Sequence, residues 1–271
     1  MFMQQTQPQA RQSYHLKLMK ISRVFLCLLL SLQIGCSSNK EKILNQIAEI
    51  AAKDSFRSEI FHTQNFDIFT LQKITNPKQD LKIYIEGDGF AYVNRHTPSI
   101  DPTPRSLFLL NLATQDQSPN ILYIARPCQY VFSKNCEEKY WTEKRFSKEA
   151  VSAIQEVIDH FSNYPQHLIG YSGGAAIINH LHHQKTKTIL TIAGNLDLET
   201  FTKIHKISPL IEEKIDYQKL STIPQIHLIG SADKIIPLTV FEAYSKKLPR
   251  KDLVKMKIVE GATHSSGWEN F

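Results

Sequence analysis

His167-Leu168-Ile169-Gly170-Tyr171-Ser172-Gly173-Gly174-Ala175-Ala176-Ile177-Ile178 decides how this chain is read. The apolar run bounded upstream by Pro165 has the length of a buried strand, and the alanines and isoleucines at its end suit a helix. Between them lies G-x-S-x-G, so the backbone must turn sharply from strand to helix within a few residues. Glycine is needed where a side chain would clash in such a turn, and the serine at its apex is lifted clear of the sheet's carboxyl edge. The chain has only 10 glycines, and Gly170, Gly173 and Gly174 are gathered here.

Outward from this turn, β-rich runs alternate with helical patterns. The runs are Phe66 to Ile74, Leu81 to Glu86, Ile121 to Ala125, His167 to Tyr171, Thr188 to Ala193, Gln225 to Gly230 and Lys255 to Glu260. Ala150, Ile154, Val157, Ile158 and Phe161 recur at helical spacing and give one apolar face to lay on a sheet. The alternation predicts an α/β fold: a mostly parallel central sheet with helices on both faces.

A serine is a weak nucleophile until a histidine takes its proton and an acid orients that histidine. Asp233, just past the run 225–230, and His264, just past the run 255–260, are the expected partners, each on a loop at a strand's carboxyl end. Asp197, in Ala193-Gly194-Asn195-Leu196-Asp197, is the competing acid. The oxyanion formed on attack needs two backbone N–H donors. Gly173 is expected to supply one, and Asp88, with Gly89 beside it in Glu86-Gly87-Asp88-Gly89, the other; a plain glycine-rich turn is the alternative for that loop. His180, His182 and His183 are expected on a solvated face of the helix after the turn, since no H-E-x-x-H metal pattern accompanies them. Neither a phosphate-binding G-x-x-x-x-G-K-[ST] loop nor a G-x-G-x-x-G fingerprint is present, and no metal or cofactor is implied.

The 271 residues, 42% hydrophobic and 21% charged, are those of an ordinary globular chain. The formal charge is +6, but Arg11, Lys17, Lys20 and Arg23 fall in the first 35 residues, which contain no acid. The rest has no block of like charge, so no nucleic-acid partner is expected. Lys17, Lys20 and Arg23 precede the apolar run Val24 to Leu32, the order of a secretory signal, and the run is too short to span a bilayer. Met19 is an alternative start to Met1. Gln33-Ile34-Gly35-Cys36 resembles the lipobox of bacterial lipoproteins, with Gln33 where leucine is usual. That resemblance implies a signal over 1–35, lipid attachment at Cys36 and a place in the cell envelope, on an outer membrane facing the periplasm; a plain cleaved signal or an uncleaved anchor are the alternatives. Residues 36–60, with Ile43, Ile47, Ile50 and Ala51 at helical spacing, read as a tether, and 61–271 as the folded domain. Cys128 and Cys136 remain in that domain. Export favours a disulfide between them over two free thiols or half a metal site.

Together these features resemble the α/β-hydrolase superfamily from about Phe66 to Phe271. Glu86-Gly87-Asp88-Gly89, Ala125-Arg126-Pro127-Cys128-Gln129-Tyr130, Tyr140-Trp141, Gly170-Tyr171-Ser172-Gly173-Gly174 and Ala193-Gly194-Asn195-Leu196-Asp197 resemble, more closely, a group of bacterial α/β-hydrolase lipoproteins. Glu86 departs from the histidine that many relatives place there. The resemblance implies a Ser172-Asp233-His264 triad acting on an ester, thioester or amide substrate that is a small molecule, lipid or peptide, the alternative being a catalytically silent envelope lipoprotein that binds through the same fold. It also implies that the segment from Arg126 to Trp141, tied by its cysteines, borders the pocket, so that Arg126, Gln129, Tyr130 and Trp141, with Tyr171, either shape the site or serve packing. The insert from Leu198 to Ile223 is the candidate cap.

Overall fold

The computed structural model describes residues 39–53 and 55–268; the signal, Met19 and Cys36 lie outside them. Eight strands form one sheet in the order β1 (Arg57–His62), β2 (Asp67–Ile74), β6 (Asn120–Ile124), β3 (Leu81–Ile85), β7 (Gln166–Tyr171), β8 (Thr186–Ile192), β9 (Gln225–Gly230), β10 (Val254–Val259). β1, β2 and β6 pair antiparallel, and every pair from β6 across to β10 is parallel. Parallel neighbours need crossovers, and these are α2 (Phe108–Gln115), α3 (Lys148–His160), α4 (Gly173–Asn179), α5 (Leu198–His205), α6 (Tyr217–Leu220) and α7 (Leu238–Lys247). A small hairpin, β4 (Tyr92–Asn94) with β5 (Thr97–Pro98), projects after β3.

Successive side chains of a strand face opposite sides, and here they feed two cores. Leu81, Ile83 and Ile85 pack with Ile154 and Val157 of α3 and Ala176 and Ile177 of α4, whereas Tyr84 between them packs with Leu109 and Leu110 of α2. Helices thus cover both faces, as expected. Residues from Ile43 onward form one compact unit. The helical spacing read at 43–51 is real: in α1 (Asn39–Lys53), Ile43, Ile47 and Ala51 are buried with Phe69 and Leu71 of β2. The sheet itself begins at Arg57. β1 gave no apolar run because an edge strand needs only one half-buried face, and its residues alternate between exposed and intermediate.

Candidate active site

The turn after β7 has the strained form expected. Ser172 sits at φ 49° and ψ −117°, a conformation side-chain-bearing residues seldom adopt. Gly170 and Gly174 permit it: a Cβ on Gly170 would lie 2.7 Å from the Ala175 nitrogen, and one on Gly174 would overlap the Ile85 carbonyl oxygen. The turn is tied to its neighbours, with Ser172 N–H donating to the Ile192 carbonyl and Asn195 N–H to the Ser172 carbonyl, both at 3.0 Å.

The loops after β9 and β10 bring Asp233 and His264 to this serine. His264 Nε2 lies 3.0 Å from Ser172 Oγ, and His264 Nδ1 lies 3.0 Å from Asp233 Oδ2. A carboxylate only accepts, so Nδ1 is the donor and Nε2 is left to accept from the serine hydroxyl. Asp233 is buried, and its Oδ1 accepts from the N–H groups of Ile235 and Ile236 at 2.8 and 2.9 Å, which fixes the plane of the carboxylate. Tyr171 O–H donates to the His264 carbonyl at 2.9 Å, and its ring packs against the imidazole at 5.5 Å. Asp197 is engaged elsewhere: it caps α5 by accepting from Thr200 N–H at 2.9 Å and pairs with Lys247 at 2.6 Å.

The Glu86–Gly89 loop lies against the turn and is braced from behind. Gln129 Nε2 donates to the Gly87 carbonyl at 2.9 Å. In a trans peptide the C=O and the following N–H point opposite ways, so the Asp88 N–H is turned away from Gln129. Glu86, fully buried, accepts from Gly87 N–H at 2.8 Å and from Tyr123 O–H at 2.7 Å, with Tyr130 O–H 3.2 Å farther along. Burial pushes its carboxyl up to about 7, against the lowering effect of these donors and of Arg126. Asp88 is held by Arg126 Nη1 at 3.2 Å and Arg145 Nε at 2.9 Å, and Arg126 Nη2 donates to the Arg145 carbonyl. Burial pulls Arg126 down to about 10.

A cavity of about 990 Å³ opens onto this assembly, lined by Ser172, His264, Tyr171, Asp88, Gly89 and Asn195 among others. Tyr171 lines it as expected. Arg126, Gln129, Tyr130 and Trp141 do not, which corrects their expected place at the pocket: all four are buried behind the loop as braces, Trp141 through Nε1 donating to the Ser99 carbonyl at 3.0 Å. The sulfurs of Cys128 and Cys136 are 2.18 Å apart and the Cα atoms 5.6 Å, the geometry of a disulfide closing the brace segment. Only the first part of the expected cap covers the cavity, through Phe201 and residues 205–208 and 210; α6 instead buries Leu220 in the core. Of the histidines after the turn, His182 is exposed as expected, but the other two are not on a solvated helical face. α4 stops at Asn179, His180 pairs with Glu212 at 3.3 Å, and His183 is buried and held down to about 4 by burial. Among the described residues no group of three His, Cys, Asp or Glu side chains could hold a metal ion.

The structure adds site residues that sequence reasoning missed. Asn195 is buried with no partner for its amide oxygen, beside Ser172 at the cavity wall. It follows Ala193, which adopts φ 47°, and such strain in a non-glycine residue clusters at functional sites. Arg145, and Arg95 and Arg105 at the mouth, lie far from the turn in sequence and carried no local signal.

No protein-family model matches the chain, and no curated protein matches it in sequence. Solved structures do resemble it. Alpha/beta hydrolase domain-containing protein 10 from mouse is 12% identical, covering 77% of this chain and 90% of that one, with a TM-score of 0.54. A membrane phospholipase A described as a bacterial virulence factor is 14% identical, covering 91% and 92%, with a TM-score of 0.54. Est1E from Butyrivibrio proteoclasticus is 12% identical, covering 77% and 90%, with a TM-score of 0.52. At such identities the likeness is one of fold, and the fold is that of the α/β hydrolases.

Proposed function

We propose that this chain, built on the α/β-hydrolase fold, is a serine hydrolase that cleaves an ester, thioester or amide through an acyl-enzyme on Ser172. The observation that carries the reading is the unbroken hydrogen-bond series Ser172–His264–Asp233 at the wall of a large cavity. Ser172 Oγ attacks the substrate carbonyl carbon while His264 Nε2 takes the hydroxyl proton, and Asp233 holds the imidazole in the tautomer that makes this transfer productive. The negative charge on the carbonyl oxygen meets the N–H groups of Gly173, at the start of α4, and Asp88, turned forward by Gln129. The tetrahedral intermediate expels the alcohol, thiol or amine, which leaves with the proton from His264. Water then attacks the acyl-enzyme with His264 again as base, releasing the acid and restoring Ser172. No step calls for a cofactor.

Export and a lipid anchor at Cys36 belong to the same proposal. The paired sulfurs of Cys128 and Cys136 support an oxidising compartment, and Cys36→Ser is expected to move the protein from the membrane to the soluble fraction. Catalysis is tested by labelling with a fluorophosphonate probe: the parent should label, and Ser172→Ala and His264→Ala should not. A well-folded parent that fails to label would replace the enzyme with a silent binding protein.

A further inference from the structure

The charge at the cavity mouth is one-sided. Arg95 and Arg105 stand on the β4–β5 side and Lys206 on the cap side, all three exposed and lining the same cavity as Ser172. Among the described residues none of the three makes an ion pair. Each is nonetheless placed by other contacts. Arg95 Nη2 donates to the His205 carbonyl at 3.1 Å, crossing from hairpin to cap. The Arg105 guanidinium carbon lies 3.2 Å from the Phe90 ring centroid, and stacking of that kind leaves the in-plane N–H donors open to a bidentate oxyanion. Lys206 follows α5 in the left-handed conformation at φ 53°, which ends the helix and starts the stretch along the cavity.

Acidic lining residues do not offset this charge. Glu86 and Asp88 are committed to the loop, and Asp88 answers two buried guanidiniums, those of Arg126 and Arg145. Glu143 remains, accepting from Thr142 Oγ1 at 2.6 Å. The mouth is therefore cationic on balance, and charge of one sign around a cleft focuses its field on an incoming anion. The walls between are apolar, with Phe201, Leu210 and Ile236.

We infer that the cavity takes an acyl compound whose non-acyl part carries an anionic phosphate or carboxylate, held at the mouth by Arg95, Arg105 and Lys206 while the acyl chain lies on the apolar walls. This rests on the hydrolase reading for its chemistry, but its test does not need turnover. The full-length Ser172→Ala protein is titrated calorimetrically with hexanoylglycerol phosphate and with hexanoylglycerol, two monomeric ligands that differ only in the phosphate. The phosphate-bearing ligand should bind about tenfold tighter at low salt. Added salt and inorganic phosphate should both erode that advantage, and the Arg105→Glu/Lys206→Glu double variant, at exposed positions, should abolish it. Arg105→Gln alone should reduce it. Equal affinities, an advantage that survives the charge reversals, or binding seen only on anionic vesicles and not to the monomeric ligand would each overturn the inference, the last in favour of docking to a membrane surface. Equal affinities together with fluorophosphonate labelling of the parent would sink this inference and leave the hydrolase standing. A tenfold preference in Ser172→Ala, with a parent that does not label, would do the reverse.

Discussion

Glu86→Gln isolates the most strongly perturbed carboxyl beside the site. The Glu86 carboxyl is buried, and burial outweighs its donors, moving it from 4.5 to about 7. Between those values the folded protein keeps a proton that the unfolded chain has released, so this group's contribution to stability falls as pH rises through the window and is flat above it. At 1.36 kcal/mol per unit, the loss amounts to roughly 3 kcal/mol. Glutamine has the same shape. Its oxygen can still accept from Gly87 N–H, and its amide can donate to the Tyr123 oxygen while Tyr123 O–H turns toward Tyr130, 3.2 Å away. Urea unfolding of parent and variant at a series of pH values, with the Cys128–Cys136 bond intact, measures the difference. The variant should gain roughly 3 kcal/mol on the parent between pH 4.5 and 8, most of it below pH 7. Other titrating groups cancel in that difference. A gap independent of pH, or one that narrows as pH rises, would refute the reasoning.

Three further outcomes are expected. Asp233→Asn should lower kcat by about 10³ to 10⁴ through loss of the correct imidazole tautomer, whereas Asp197→Asn, which touches only the α5 cap and Lys247, should alter stability and leave kcat within a few fold; steady-state ester hydrolysis separates the two. Replacing Cys128 and Cys136 by serine opens a loop of sequence separation 8 and should cost about 2–3 kcal/mol in urea unfolding. His227, fully buried between Thr191 Oγ1 and Gln225 Oε1, is held down to about 3 by burial. Its folded value lies below its unfolded one, so its contribution is whole above pH 6.5 and is lost as pH falls toward 3. His227→Gln should flatten that acid limb of the stability curve.

Much of this architecture is local in origin and was therefore legible. Buried parallel strands are continuous apolar runs, and the runs marked at Leu81, Ile121, His167, Thr188, Gln225 and Lys255 each fall within two residues of an observed strand start. Ser172 was legible because a strand-to-helix turn of that sharpness admits few residues. Asp233 and His264 were legible because such sheets place their working loops at strand carboxyl ends. Edge strand β1 was hidden because Arg57-Ser58-Glu59-Ile60-Phe61-His62 is mostly polar and largely exposed. For the segment from Arg126 to Trp141 the resemblance left two roles open, shaping the site or packing, and Arg126, Gln129, Tyr130 and Trp141 turn out buried, because residue type does not distinguish a polar group paired inside from one facing a ligand.

The sequence by itself determined the fold class, the turn that raises Ser172 and the loops that bear Asp233 and His264, because each follows from residues close together along the chain. Tertiary structure alone brought Asp233 rather than Asp197 to His264, set Gln129 behind Gly87, stripped His183 of solvent and gathered Arg95, Arg105 and Lys206 at one mouth. Those outcomes depend on which distant segments meet, and burial and distance, which set charge state and role, exist only once they have met.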